Sequence, residues 1–278
     1  MKRFRFLGGV AIVLILAGTA WAQNAGDDRV TVPLSDPSRP ATVKVNLIRG
    51  SITVHGYAGK DVIVEAQGGR EDRVRKTDRT EAEGLKRISN GPSGLTVEEE
   101  NNVVSVSTSV MRQPQQISIQ VPMHTSLKLK TINGGNIDVD QADGEIEVNN
   151  INGGVKLTHI SGSVVAHALN GNVVVALDRV DSGKPMSFSS LNGNIDVTLP
   201  ADTKANISMR SDRGEIYSDF EIQLKPNAGK PEPENLRSKN GQFKFHVDST
   251  MLGTLNGGGP EFQFKTFNGN IYIRKGTK

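Results

Sequence analysis

Five acidic residues lie within ten positions near the middle of the chain, and they are the first candidates for chemistry. They are Asp138, Asp140, Asp143, Glu145 and Glu147. Carboxylate oxygens are the ligands that a hard cation such as Ca²⁺ prefers. The run from Gly134 to Asp138 is similar to the calcium-binding nonapeptide, but Ile137 stands where that pattern needs a third glycine. We therefore interpret these acids as outward-facing positions of strands, and we predict no metal site and no cofactor.

Paired carboxylates also serve as the acid and base of glycosidases. Asp138 and Asp196 occupy equivalent positions of a short repeat, so they are the candidate pair. The histidines are scattered without metal-ligand spacing, and they are His55, His124, His159, His167 and His246. The sequence contains neither a Gly-x-Ser-x-Gly elbow nor a Gly-Lys-Ser/Thr phosphate loop. We predict that the chain is not an enzyme and has no catalytic residues.

Exposed aromatic rings are the usual platforms for sugars. Beyond the first 22 residues the chain has three tyrosines and no tryptophan. Tyr217 and Tyr272 follow Ile216 and Ile271 in the same slot of the repeat, which predicts that they face solvent in register. A flat polar β face would equally suit a protein partner or a strand edge.

The repeat itself indicates the architecture. Its leading glycines stand at 134, 144, 153, 162 and 171, and the residue that follows the turn, two or three positions later, is Ile or Val. A short fixed period indicates units that cannot bury an apolar face alone and must stack on their neighbours. The fold class predicted is all-β, a repetitive β-solenoid or β-helix-like stack of short strands with Asn-Gly turns. Two such units would make one coil of about eighteen residues.

An antiparallel meander or sandwich is the competing fold, because Asn-Gly between alternating apolar residues is also a strong hairpin signal. The turns are often four residues long, as in Asn133-Gly134-Gly135-Asn136, and tight hairpins prefer two. Asparagine also recurs at 133, 152, 170 and 192, where stacked amides could form a hydrogen-bonded ladder. These features favour stacked parallel strands.

The predicted domain organisation begins with a signal peptide over residues 1–22. Basic residues precede a short apolar run, and Ala20-Trp21-Ala22 forms a cleavage site. Residues 23–40 are a lead-in segment, and 41–278 form a single β-solenoid-like domain. Two segments interrupt its pattern: a mixed-charge insertion at about 70–90, interpreted as solvated and not as a recognition arm, and a proline-rich excursion at about 225–240.

Charge and cysteine content narrow the function further. Removing the three basic residues of the signal from the 33 leaves 30, which equals the 30 acidic residues. A neutral chain does not favour nucleic-acid binding, which needs a concentrated positive face. Cysteine is absent, so the chain has no disulfides and no thiolate chemistry. We predict export to the periplasm, the cell surface or the medium, with no integral membrane span once the signal is removed.

Several segments resemble the bacterial putative-adhesin family. They are Gly50–Gly56, Ile119–Pro122, Leu127–Val139, Asp196–Pro200 and Phe264–Ile271. The resemblance covers roughly residues 41 to 275 and implies an exported, non-enzymatic β-solenoid of the cell envelope. The predicted function is thus a non-catalytic envelope or adhesin-like scaffold that presents a polar β face to a surface, glycan or protein partner. The alternative is a polysaccharide-processing β-helix enzyme, a lyase or hydrolase.

Overall fold

The computed structural model describes residues 27–68, 94–108, 115–225 and 250–276. The predicted signal peptide, the charged insertion at about 70–90 and residues 226–240 of the proline-rich excursion lie outside this part of the chain. The described residues form strands, turns and loops without a helix. The all-β class predicted from the sequence is confirmed. No helix within the described ranges is long and apolar enough to cross a membrane.

Eighteen strands form one hydrogen-bonded sheet. In chain order they are β1 (Asp27–Val32), β2 (Ala41–Tyr57), β3 (Val62–Gly68), β4 (Leu95–Glu100), β5 (Val103–Thr108), β6 (Gln115–Pro122), β7 (Thr125–Asn133), β8 (Ile137–Asn152), β9 (Val155–Asn170), β10 (Val173–Val180), β11 (Met186–Asn192), β12 (Ile195–Leu199), β13 (Ala205–Arg213), β14 (Ile216–Ser218), β15 (Gln223–Leu224), β16 (Met251–Leu255), β17 (Glu261–Asn268) and β18 (Ile271–Lys275).

Three long strands join two runs of parallel strands. The first run, array I, contains β5, the first half of β2, then β7, the second halves of β8 and β9, β11, β17 and β13. The second run, array II, contains β6, the second half of β2, the first halves of β8 and β9, β10, β12, β18 and β14. Each of β2, β8 and β9 therefore turns a corner between the arrays.

Antiparallel strands lie at the two ends of the arrays. β4 pairs with β5, and β1 pairs with β3, which pairs with β6. At the other end β16 pairs with both β13 and β15. β1 belongs to the segment predicted as a lead-in, and Val32 and Leu34 from that segment are buried in the core.

The register of the parallel strands follows the sequence repeat. β8 and β9 pair at an offset of eighteen residues, from Ile137 opposite Val155 to Asn152 opposite Asn170. Because side chains alternate along a strand, an in-register offset places every inward residue on an inward residue. Most inward columns are apolar and form one core, in which Phe188 and Phe264 stack with ring centroids 5.2 Å apart. One column of array I is largely polar instead and contains the buried residues Thr131, Asn150, Ser190 and Thr266.

The chain passes from array I to array II at the Asn-Gly corner, which we define by the turns at 133–136, 152–154, 170–172, 192–194 and 268–270. Backbone amides bond across successive turns here, as from Val155 N to Asn172 O at 2.9 Å. The asparagines that precede the turns form a ladder in which each Nδ2 donates to the preceding Oδ1. Its members are Asn133, Asn152, Asn170, Asn192 and Asn268, and its distances run from 2.7 to 3.0 Å.

Glycine is required in this corner because successive turns approach closely. A Cβ on Gly171 would lie 2.2 Å from the carbonyl oxygen of Gly153, and one on Gly193 would lie 2.2 Å from that of Gly171. Real Cβ atoms do not approach backbone so closely. A side chain here would push neighbouring strands apart.

We expect Gly171→Ala to lower the free energy of unfolding by about 2 to 3 kcal/mol, because the added methyl group overlaps backbone that cannot retreat. Gly154→Ala is the matched control in the same corner, since its Cβ would meet nothing closer than 3.5 Å. That control should change stability by less than about 1 kcal/mol. Urea unfolding followed by circular dichroism measures both. Equal stability of the two variants would contradict the close packing of this corner.

Candidate functional site: a histidine and carboxylate corner

The chain returns from array II to array I at a second corner, which we call the histidine corner. It comprises the turns at 123–124, 140–145, 158–163 and 176–184, together with the end of β2. Three histidines from different parts of the sequence meet there: His55, His124 and His159. Their spacing in the sequence gave no indication of this, because the strand register brings them together.

Asp140 is the centre of the first group. Its Oδ1 lies 2.8 Å from His159 Nδ1 and accepts a hydrogen bond of 2.8 Å from Thr158 Oγ1. Its Oδ2 lies 3.3 Å from His55 Nδ1. The register explains the group, since His55 and Thr158 are the partners of Asp140 on the two neighbouring strands. His159 has a φ of 53°, in the left-handed region that bends the chain at this corner.

The contacts at Asp140 change the acidity of both groups. Hydrogen bonds from His159 and then Thr158 hold the pKa of the Asp140 carboxyl below its ordinary value. The hydrogen bond to Asp140 raises the pKa of His159. The carboxylate and the imidazolium therefore coexist over a wider pH range than they would in isolation.

Asp143 is the centre of the second group. Its Oδ2 accepts a hydrogen bond of 2.9 Å from Arg179 Nη2 and lies 3.1 Å from His124 Nδ1. These three side chains border a cavity of about 470 Å³. The cavity is also lined by Met123, Gln141, Ala142, His159, Ser161 and Asp178. The corner can thus offer a ligand both hydrogen-bond donors and acceptors.

The acidic cluster predicted from the sequence is divided by the fold. Asp138 and Asp140 lie on array II, whereas Glu145 and Glu147 lie on array I, with Asp143 at the corner between them. Glu145 pairs with Lys184 at 2.8 Å, and Glu147 pairs with Lys128 at 3.4 Å. Within the described ranges, no three side chains of His, Cys, Asp or Glu are grouped so that they could hold a metal ion.

The candidate acid and base pair is also separated. From Asp138 the register runs through Lys156 and Val174 to Asp196, so the two carboxylates lie three strands apart. With about 4.8 Å between strands, that is roughly 14 Å, which exceeds the separation of about 5 to 9.5 Å in glycosidases. Asp196 instead accepts two hydrogen bonds from Arg274, at 2.7 and 3.1 Å.

Tyr217 and Tyr272 lie in register, as the repeat predicted. Their rings stack with centroids 5.2 Å apart and planes inclined by 7°, and Tyr217 is 47% exposed. The Arg274 guanidinium lies 5.2 Å from the Tyr272 ring centroid, and the Tyr272 hydroxyl accepts a hydrogen bond from Asn270 Nδ2 at 2.9 Å. The pair therefore forms a braced aromatic surface at one end of array II.

No protein-family model matches the chain, and no curated protein matches it in sequence. Among solved structures, a putative cell adhesion protein from Clostridium sporogenes aligns with a TM-score of 0.41 and 12% identity, over 90% of this chain and 100% of its own. A putative adhesin from Bacteroides fragilis aligns with a TM-score of 0.29 and 10% identity, over 90% of this chain and 96% of its own. Similarities of this size assign no function, and the family resemblance stays a prediction.

We expect Asp140→Asn to return the pKa of His159 towards its ordinary value, because the amide removes the charge and the acceptor that stabilise the imidazolium. NMR titration of the His159 ring measures the change, with the His167 signal as an internal reference for global effects. A His159 midpoint equal in both proteins would contradict the contact.

The pH dependence of the free energy of unfolding follows from the pKa shifts of both His159 and Asp140. The His159 contribution is present below its unfolded pKa and is lost as pH rises through its raised folded pKa. The Asp140 contribution is present above its unfolded pKa and is lost as pH falls through its lowered folded pKa. The stability difference between wild type and Asp140→Asn should therefore be largest between about pH 4 and about pH 6.5.

Proposed function

We propose that this chain is an exported, non-catalytic β-solenoid of adhesin-like type, which presents a polar β face to a partner at the cell envelope. The partner is a surface, a glycan or a protein, and it is not a nucleic acid. Stacking at an offset of eighteen residues and two parallel arrays joined by repeated corners support the solenoid. The apolar run and cleavage site at the N-terminus of the sequence support export.

The observation that carries the proposal is one outward row on array II. Thr53, Asp138 and Lys156 lie side by side in register, and the row continues through Val174 and Asp196 to the stacked tyrosines. We call the polar and aromatic members of this row the polar face: Thr53, Asp138, Lys156, Asp196, Tyr272 and Tyr217. A regular row of charged, hydroxyl and aromatic groups suits an extended partner better than a compact one.

The separation of Asp138 and Asp196 supports the non-catalytic part of the proposal. The alternative, a polysaccharide lyase or hydrolase, would have to use other groups. Asp140 and Asp143 are half-buried and each contacts a histidine, so these carboxylates and histidines are the residues that such an enzyme would use as acid and base. A single assay separates the two functions if it follows bound protein and newly released sugar ends together.

We expect residues 23–278 to co-sediment saturably with isolated cell-envelope fractions without releasing sugar ends. The double variant Tyr217→Ala and Tyr272→Ala should bind about tenfold more weakly, because exposed aromatic anchors dominate such contacts. Phe267→Ala is the matched control, since Phe267 is also an exposed ring beneath a cation, Arg213, but projects from array I. Its binding should equal that of wild type.

Two outcomes would overturn the proposal. Release of sugar ends that stops in Asp140→Asn or Asp143→Asn would establish the enzyme instead. Equal binding by wild type and the tyrosine double variant would show that the polar face is not the contact surface.

A further inference from the structure

Three cavities follow the histidine corner in succession. The first, of about 330 Å³, lies against Arg39, Tyr57 and Pro122. It shares Met123 and His124 with the cavity of about 470 Å³ that is bordered by Asp143 and Arg179. The latter in turn shares Asp178 and Arg179 with a third, of about 880 Å³, that reaches Lys275. Neighbouring cavities share lining residues and follow one another along the corner, and we call this run of cavities the corner groove.

The corner groove is long. Its lining includes residues of seven consecutive strands of array II: β6, β2, β8, β9, β10, β12 and β18. Six steps of about 4.8 Å give a length of roughly 29 Å along the stacking direction. A depression of this length that crosses the strands fits a linear polymer, not a single small molecule.

The charges in the groove are mixed. Its cationic side chains are Arg39, Arg179, Lys204 and Lys275. Its carboxylates are Asp143, Asp178 and Asp202. A polyanion would meet repulsion from the carboxylates and find no continuous positive path. Alternating donors and acceptors instead match hydroxyl groups, each of which both donates and accepts hydrogen bonds.

The strands beneath the groove favour a glycan over an extended peptide. Strand addition needs an unpaired edge. In array II, β8, β9, β10 and β12 each bond to a parallel neighbour on both sides. Their main-chain groups are therefore already used, so recognition must come from side chains, and those that line the corner groove are one such set.

We propose that the corner groove binds a segment of a linear, uncharged polysaccharide, held by the side chains of Asp143, Arg179, Asp202 and Lys204. This site rests on the proposed envelope-binding function and assigns its partner class. His124 and His159 line the same groove and lie close enough to report occupancy. The polysaccharide is bound and not cleaved.

The test uses residues 23–278 and soluble, uncharged cello-, chito- and malto-oligosaccharides long enough to span the groove, with dextran sulfate as the polyanionic comparison. At least one uncharged series should bind in isothermal titration calorimetry and shift the NMR signals of the His124 and His159 rings. Ser161→Trp, which places an indole in the middle cavity, should weaken binding at least about tenfold. Ser187→Trp, on array I, is the matched control and should bind as wild type does.

A second variant tests the same groove and does not depend on whether Ser161→Trp folds correctly. Asp202 and Lys204 are exposed, so Asp202→Ala combined with Lys204→Ala should keep the melting temperature and still weaken binding about tenfold. The inference is overturned if the protein binds the envelope but none of the uncharged series, binds only dextran sulfate, or binds equally with the groove variants. If the wild-type protein does not bind the envelope fractions at all, the proposed function is wrong instead.

Discussion

The structure depends on how closely successive turns approach at the Asn-Gly corner. A carbonyl oxygen of one turn occupies the space that a Cβ of the next would need, and this recurs from Gly50 through Gly135 to Gly269. That approach allows main-chain hydrogen bonds and the asparagine ladder to form across the same turns. The ladder amides are exposed, so each bond contributes modestly, but their repetition favours one register for the five strands that carry them.

The register determines where the chemistry lies. Because each outward residue sits above an outward residue, side chains distant in sequence become neighbours on the surface. His55 meets Asp140 in this way, and Tyr217 meets Tyr272. The groups with shifted pKa at the histidine corner and the aromatic pair on the polar face are thus consequences of stacking. The same stacking pairs the main-chain groups of array II, which leaves recognition to side chains on the polar face and at the corner.

The sequence predicted the features that depend on the short repeat. The asparagines at 133, 152, 170 and 192 were expected to form a ladder, and their hydrogen bonds confirm it, with Asn268 as a further member. The in-register pair of Tyr217 and Tyr272 was also predicted, because both residues occupy the same position of the repeat. Proximity in sequence was misleading for the acids between 138 and 147, because a corner falls among them and sends them to different arrays. The histidines were missed because only the three-dimensional register assembles them.

The most direct test of the stacked register is disulfide formation between introduced cysteines, because the natural chain contains none. Asn152→Cys with Asn170→Cys places the two cysteines on paired positions of neighbouring strands, with Cα atoms about 4.8 Å apart and within the range that a disulfide spans. Asn152→Cys with Asn192→Cys places them two strands apart, at about 10 Å. The stacked register predicts rapid oxidation of the first pair and none of the second in the folded protein. Equal oxidation of both pairs, or of neither, would contradict it.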